Sequence, residues 1–236
     1  MHAYHDVPSE TGSKGDVQKK LKKPSKRIQT KNNNPKHHFK TVLKTDSVLN
    51  LINRTIIDNA ADFVFRGTKG ASAIRGIFLG TNTVNVIKHL AMCPIVAVPG
   101  NYDCDLPEEI DFSTDFNHNF IAPELAALIA ISKLWDAVVS VVHIQSKKKL
   151  VDDQKRNIEE LKNNLKEVRS TFMEVIIKNS ISSTLYHPEK ENVKIGILAL
   201  LNTIHGFSKK PLREPILRNL AFQTEVPLLV LPQIVA

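Results

Sequence analysis

The chain has 236 residues, of which 42% are apolar and 24% are charged. This length suggests one large or two small domains with enough apolar side chains to bury a core. No apolar run reaches the roughly 20 residues of a membrane-spanning helix, and the polar first thirty residues predict no signal peptide. Cys93 and Cys104 suit neither a disulfide framework nor a metal cluster. We therefore expect a cytoplasmic protein with no membrane partner.

The positive charge of the chain is concentrated in an N-terminal head. Residues 1–40 contain ten Lys/Arg and three Asp/Glu, whereas the remaining residues contain 22 and 21. Residues 1–38 have few large apolar side chains, so we predict a disordered basic head. Such a head is either an electrostatic tether for nucleic acid or anionic lipid, or a solvated tail without a partner. No aromatic residue follows Tyr4 among the lysines, so we do not expect nucleic acid as a partner.

After the head, residues 39–100 alternate between strand and helix patterns. The last strand of this segment, residues 94–99, is apolar throughout, as is typical of a parallel strand buried on both faces. The segment predicts an α/β layer. Its predicted elements are a strand at 39–45, a helix at 47–60, a strand at 62–66, a helix at 81–92 and a strand at 94–99.

After a linker at 101–109, residues 110–236 repeat this alternation over a longer stretch. Five strand patterns alternate with four helix patterns, which predicts a complete doubly wound domain. The predicted strands cover 110–116, 137–145, 171–177, 193–201 and 227–232. The predicted helices cover 122–135, 150–169, 181–187 and 209–223.

The two segments end in matching sequences, Cys-Pro-Ile-Val-Ala-Val-Pro at 93–99 and Val-Pro-Leu-Leu-Val-Leu-Pro at 226–232. This match indicates an internal repeat of domain size whose first copy, 39–100, lacks its opening half. The predicted fold class is therefore α/β. It comprises one complete domain with a Rossmann-like, doubly wound, parallel five-stranded sheet, preceded by the C-terminal half of a similar domain.

A glycine-rich turn between the 62–66 strand and the 81–92 helix is the candidate binding site. Its residues are Gly67, Gly70, Gly80, Thr81 and Asn82. Glycines let a backbone approach an anion closely, and a helix N-terminus presents N–H groups and a positive dipole to it. The turn lacks the Gly-Lys-Ser/Thr of a Walker A loop. Phosphate binding and an ordinary strand-to-helix turn both remain open on spacing alone.

The pattern Gly67-x2-Gly70-x9-Gly80-Thr81, together with the closing 93–99 sequence, resembles the nucleotide-binding signature of the universal stress protein family. The resemblance covers residues 40–236 and is greatest to tandem two-domain bacterial members, with the first domain N-terminally truncated. It implies a stress-response binding protein that is not an enzyme. It also implies ATP as the ligand, with the glycine loop on the phosphates and ribose and a first-strand carboxylate near the adenine.

Neither copy has the complete family site. The first copy lacks the strand that would carry the adenine-side carboxylate. The second copy has an acid, Asp115, but only Gly206 remains where its glycine loop would lie. We expect ATP to bind weakly or not at all, and Asp115 to be a turn residue rather than a ligand. We predict no catalytic residue, because no base or metal carboxylate accompanies the loop.

The missing half also affects the sheet. The 39–45 strand loses its usual neighbours, so it must pair with the 62–66 strand, pair with another chain or stay loose. We predict that the two closing strands pair across the domain boundary and that exposed edges lead to a homo-oligomer. The alternative function is a dimerisation or scaffold protein that uses its sheet edges and binds no nucleotide.

Overall fold

A computed structural model of the chain describes residues 2–3, 14–68, 81–100, 102, 106–145, 150–176, 195–202 and 226–234. The chain divides into two compact units, Met1–Ile52 and Asn53–Ala236. Within these described ranges, no helix is both long enough and apolar enough to cross a membrane.

The described residues of the first unit form a helix, the start of a second helix and a short pair of strands. Strand β1 is His2–Ala3, helix α1 is Lys14–Lys31 and strand β2 is Lys40–Thr41. The helix lies in the head that the sequence predicted to be disordered. Lys, Gln and Arg dominate this segment and are good helix formers, and Leu21 provides an apolar contact, with only 5% of its surface exposed.

The predicted strand at 39–45 is wrong in extent and in its pairing. Only Lys40 and Thr41 form a strand, and they pair in parallel with His2 and Ala3. None of the three expected pairings included this partner. Both residues of β2 are exposed, so no buried face fixes the register of a longer strand here.

The second unit is built on one large sheet. Helix α2, Val48–Asn59, begins in the first unit and ends in the second. The remaining elements are β3 (Val64–Gly67), α3 (Thr81–His89), β4 (Ile95–Val98), β5 (Glu109–Thr114), α4 (Ala122–Trp135), β6 (Val138–Gln145), α5 (Asp152–Asn164), β7 (Ser170–Ile176), β8 (Ile195–Asn202) and β9 (Leu228–Pro232). The predicted helices at 181–187 and 209–223 lie outside the described residues.

Strands β5 to β9 confirm the predicted doubly wound sheet. Their order is β7-β6-β5-β8-β9, and every neighbouring pair among them is parallel. The third and fourth strands of this segment are separated by its first and second. An α/β sheet of this kind places its loops for ligands at the carboxyl ends of the strands.

The two closing strands pair with each other, which confirms the predicted pairing. Strand β4 runs antiparallel to β9, with Val96 opposite Leu229. The pairing adds β3 and β4 to the five strands, so the described residues form a mixed sheet of seven strands, most of them parallel. Strands β3 and β7 are its edges.

One hydrophobic core continues across this junction. Val96 of β4 belongs to the same buried cluster as Leu229 of β9 and Phe112 of β5. The cluster extends to Leu128 of α4 and Leu161 of α5, both fully buried. Burial on both sides of the β4–β9 pair therefore makes the two copies one folded body rather than two.

Candidate functional site

The carboxyl end of β3 contains the first residue of the predicted glycine site. Gly67 is the last strand residue and pairs with Val98, so it ends the strand rather than lying in the loop. A Cβ atom placed on Gly67 would meet no atom within 4 Å. No described residue therefore fills the space at Gly67, and packing against the described fold does not require glycine there.

Thr68 follows Gly67 and carries an unsatisfied hydroxyl group. Its N–H donates to the Val98 carbonyl at 3.0 Å, and only 1% of the residue is exposed. Within the described part of the chain, Thr68 Oγ1 is buried without a hydrogen-bond partner. Buried hydroxyl groups are usually paired, so this one is the kind of group that a ligand satisfies.

The N-terminus of α3 lies beside the same strand end. Arg66 Nε donates to Thr83 Oγ1 at 3.0 Å, which joins β3 to the first turn of the helix. This first turn contains no acidic residue. Because the first N–H groups of a helix have no partner within it, the guanidinium and the helix end together favour an anion.

The structure describes three of the five predicted site residues, Gly67, Thr81 and Asn82. Gly70 and Gly80 lie outside the described residues. Thr81 begins α3 and Asn82 is exposed on its first turn. Arg66, Thr68 and Thr83 were missed by the sequence analysis, although a cation directly before the first glycine and a threonine in the first helical turn were visible signals.

Asp115 after β5 has the bonding of a turn residue, in agreement with the prediction. Its Oδ1 accepts the N–H of Asn117 at 3.0 Å, and Thr114 Oγ1 accepts the N–H of Phe116. Phe116 has a left-handed φ of 56°. Side-chain amides of α5 support the turn, because Gln154 donates to the Asp115 carbonyl and Asn157 to the Phe116 carbonyl.

The two partial sites lie at opposite ends of the strands. Strand β3 is parallel to β4, β4 is antiparallel to β9, and β9 has the direction of β8 and β5. The carboxyl end of β3 and the carboxyl end of β5, which is followed by Asp115, therefore lie at opposite ends of the strands. The acid of the second copy cannot complete the glycine site of the first.

His143 of β6 is a buried residue at the same end of the strands as Asp115. Its ring lies 4.8 Å from the Phe116 ring, and its Nδ1 has no hydrogen-bond partner in the described structure. Burial lowers the pKa of His143, and the nearby Glu174 and Asp115 carboxylates act in the opposite direction. Its burial and its packing against an aromatic ring are those of a core side chain.

Glu124 is a buried carboxylate that holds together two segments near the start of α4. Only 2% of the residue is exposed. Its Oε2 accepts His118 Nε2 at 2.8 Å and the Ile121 N–H at 3.2 Å, and its Oε1 accepts the Ile234 N–H at 3.0 Å. The carboxylate therefore joins the loop after β5 to the chain that follows β9.

We expect Glu124→Gln to lower the free energy of unfolding by about 1–3 kcal/mol. Both oxygens of the Glu124 carboxylate accept hydrogen bonds. In the Gln variant one of these oxygens is replaced by an NH2 group, which is a donor, so a buried N–H loses its acceptor. Urea denaturation followed by circular dichroism measures the change. Glu159→Gln is the matched control, since Glu159 forms an exposed pair with Lys162 and such pairs contribute little. Equal unfolding midpoints for the two variants would contradict the structural role of Glu124.

Comparison with protein-family models and with curated protein sequences gives no match to this chain. Solved structures do match. A functionally unknown protein from Pseudomonas aeruginosa PAO1 has a TM-score of 0.59 at 12% identity, covering 93% of this chain and 79% of that one. A candidate universal stress protein from Pseudomonas aeruginosa UCBPP-PA14 has a TM-score of 0.60 at 11% identity, covering 93% and 80%.

A universal stress protein from Archaeoglobus fulgidus DSM 4304 has a TM-score of 0.60 at 14% identity, covering 93% of this chain and 77% of that one. At such low identities, a likeness of structure is evidence of the fold and not of a ligand or an activity. The chain shares the α/β fold of universal stress proteins.

Proposed function

We propose that the chain is a universal stress protein of the tandem two-domain type, truncated at the start of its first domain. In this proposal it is a binding protein rather than an enzyme, and its ligand is a nucleotide held weakly at the end of β3. The observation that supports it most is the unsatisfied, buried hydroxyl group of Thr68, the residue that follows Gly67. The fold likeness and the glycine spacing support it further.

The described residues suit the phosphates of such a ligand. Gly67 leaves room for a close approach, Thr68 supplies a hydroxyl donor, and α3 supplies the N–H groups of its first turn. Arg66 adds positive charge at the same strand end. The nucleotide would bring the phosphate charge that this site neutralises, and the chain's own residues would only bind and orient it.

The acid that the resemblance places near adenine does not lie at this end of the strands. Asp115, the acid that would approach adenine in the second copy, lies at the opposite end. We therefore propose a site that recognises the polyphosphate and discriminates little between bases. Hydrogen bonds to a base provide most of the selectivity between bases, and none is available from Asp115 here.

Calorimetric titration with ATP, GTP and inorganic triphosphate tests this proposal. The three ligands should bind with dissociation constants within about threefold of each other, which is a difference of less than 1 kcal/mol. Thr68→Val should weaken all three without lowering thermal stability, because the hydroxyl it removes has no partner in the described structure. The double variant Gly70→Val and Gly80→Val should abolish binding, since the added side chains would block the backbone amides.

Asp115→Asn is the control at the opposite end of the strands and should leave the affinities for the three ligands unchanged. No heat and no thermal shift at millimolar nucleotide would refute nucleotide binding. That result would favour the alternative, a dimerisation or scaffold protein. Edge strand β3 supports this alternative, because Phe65 on that strand is 60% exposed.

A further inference from the structure

Helix α1 has a charge imbalance that the proposed nucleotide site does not use. Its 18 residues contain eight Lys/Arg and a single acid, Asp16. The unit that contains it, Met1–Ile52, has eleven Lys/Arg against four Asp/Glu, a net charge of +7. The second unit has 21 against 20, a net charge of +1. The electrostatic field of the protein therefore originates largely from the small first unit.

The basic side chains of α1 occupy one side of the helix. At about 100° per residue, seven of the eight fall within an arc of about 180°, which also includes the one acid, Asp16. We call this arc the basic face. Leu21, which is buried, and Ser25, whose Oγ lies 3.4 Å from Thr41 Oγ1, are on the opposite side. The basic face consists of Lys19, Lys20, Lys22, Lys23, Lys26, Arg27 and Lys31.

The basic face is exposed and its charges are not neutralised within the described structure. All seven side chains are exposed, and none of them makes an ion pair with another described residue. Seven like charges on one face repel each other unless an anionic partner covers them. At 1.5 Å per residue the helix is about 27 Å long, close to one turn of duplex DNA at about 34 Å.

The chemistry of the face distinguishes nucleic acid from membrane. A helix that binds a lipid surface combines basic residues with an exposed side of large apolar residues that enter the bilayer. Here Leu21 is buried and Ile28 is half-buried within the unit. The lack of aromatic residues argues against single strands, whose bases stack on aromatic rings. A duplex backbone requires only positive charge along a suitable length.

We propose that the basic face of α1 binds the phosphate backbone of duplex nucleic acid without sequence preference. From the sequence we expected no nucleic acid partner, because no aromatic residue lies among the lysines to stack on bases. The helix changes this, because it holds seven charges on one side of a rod. The proposal is independent of the nucleotide site, which lies in the other unit.

Fluorescence anisotropy with a short, labelled, mixed-sequence DNA duplex and the full-length protein tests the proposal. The logarithm of the affinity should fall linearly with the logarithm of the salt concentration, with a slope of about −4 to −6 if most of the face makes contact. The fourfold variant Lys19→Gln, Lys20→Gln, Lys23→Gln and Arg27→Gln should lose about 100-fold in affinity at 0.1 M salt and reduce the slope by about 3. Gln retains the helix propensity of the segment, which circular dichroism can check.

The matched control removes four exposed lysines from the second unit. This variant replaces with Gln the residues Lys133, Lys155, Lys162 and Lys166. It changes the net charge of the protein by the same amount as the first variant. It should lower the affinity for the duplex less than threefold, or about 0.7 kcal/mol. Lys19→Arg, Lys20→Arg and Lys23→Arg together should preserve binding. Equal losses in the two fourfold variants would overturn the proposal, and so would the absence of duplex binding. Binding to phosphatidylserine vesicles in place of the duplex would assign the face to membranes instead.

Discussion

Gly196→Ala should destabilise the protein by about 3 kcal/mol, the effect of overpacking a site that cannot relax. A Cβ atom on Gly196 would lie 2.2 Å from Pro107 Cβ and 2.3 Å from Pro107 Cα. A proline ring and its backbone cannot move aside as the end of a flexible side chain can. Gly196 is also the extra residue of a β-bulge, since Glu109 pairs with Ile195 and Ile110 with Ile197. The glycine therefore allows β8 to pass close to the chain entering β5.

Chemical denaturation measures this change, and Gly67→Ala is its matched control. The added methyl group at Gly67 meets no atom within 4 Å, so we expect its effect on stability to be within about 0.5 kcal/mol. The same substitution in two strands of one sheet then differs only in the surroundings of the new carbon. Similar unfolding midpoints for the two variants would show that Pro107 does not pack against Gly196.

Val96→Lys should cost about 3–5 kcal/mol, because it places an unpaired charge in the core. Val96 is 3% exposed and lies opposite Leu229, which is fully buried, in the β4–β9 pair. A loss of this size is comparable with the whole stability of many domains. We expect the variant to lose the contact between the two copies and to expose apolar surface, which light scattering and dye binding would detect.

Phe65→Lys is the control for Val96→Lys. Phe65 lies on the neighbouring strand β3 but is 60% exposed, so the same charge stays in water and should change stability by less than about 1 kcal/mol. A Val96→Lys protein that remained compact, monomeric and as stable as the Phe65→Lys protein would show that the β4–β9 junction does not hold the copies together.

Most of the elements could be predicted from periodicity. The apolar helix at 122–135 agrees with α4 to the residue, and the five strands of the second copy lie within two residues of their predicted starts. These elements have a strong pattern because both faces of a parallel strand, or one face of a helix, are buried. The pairing of the closing strands could be predicted as well, because each is an apolar edge of its own copy.

The weaker predictions concern segments with little burial. The 39–45 strand depends on contacts between residues far apart in sequence, such as Lys40 with His2. Such contacts leave no mark in the local pattern, because polar, exposed segments carry no apolar period. The bond from Arg66 to Thr83 and the unsatisfied hydroxyl group of Thr68 are likewise properties of the folded chain.

The sequence by itself determined the α/β class, and it predicted a repeat with an incomplete first copy and a glycine site after the 62–66 strand. Those features are local, since periodicity and glycine spacing are written into neighbouring residues. Only the tertiary structure decided that β4 and β9 run antiparallel, because two matching apolar strands can pair in either direction. That direction places Gly67 and Asp115 at opposite ends of the strands of one sheet, so Asp115 cannot complete the predicted site at Gly67.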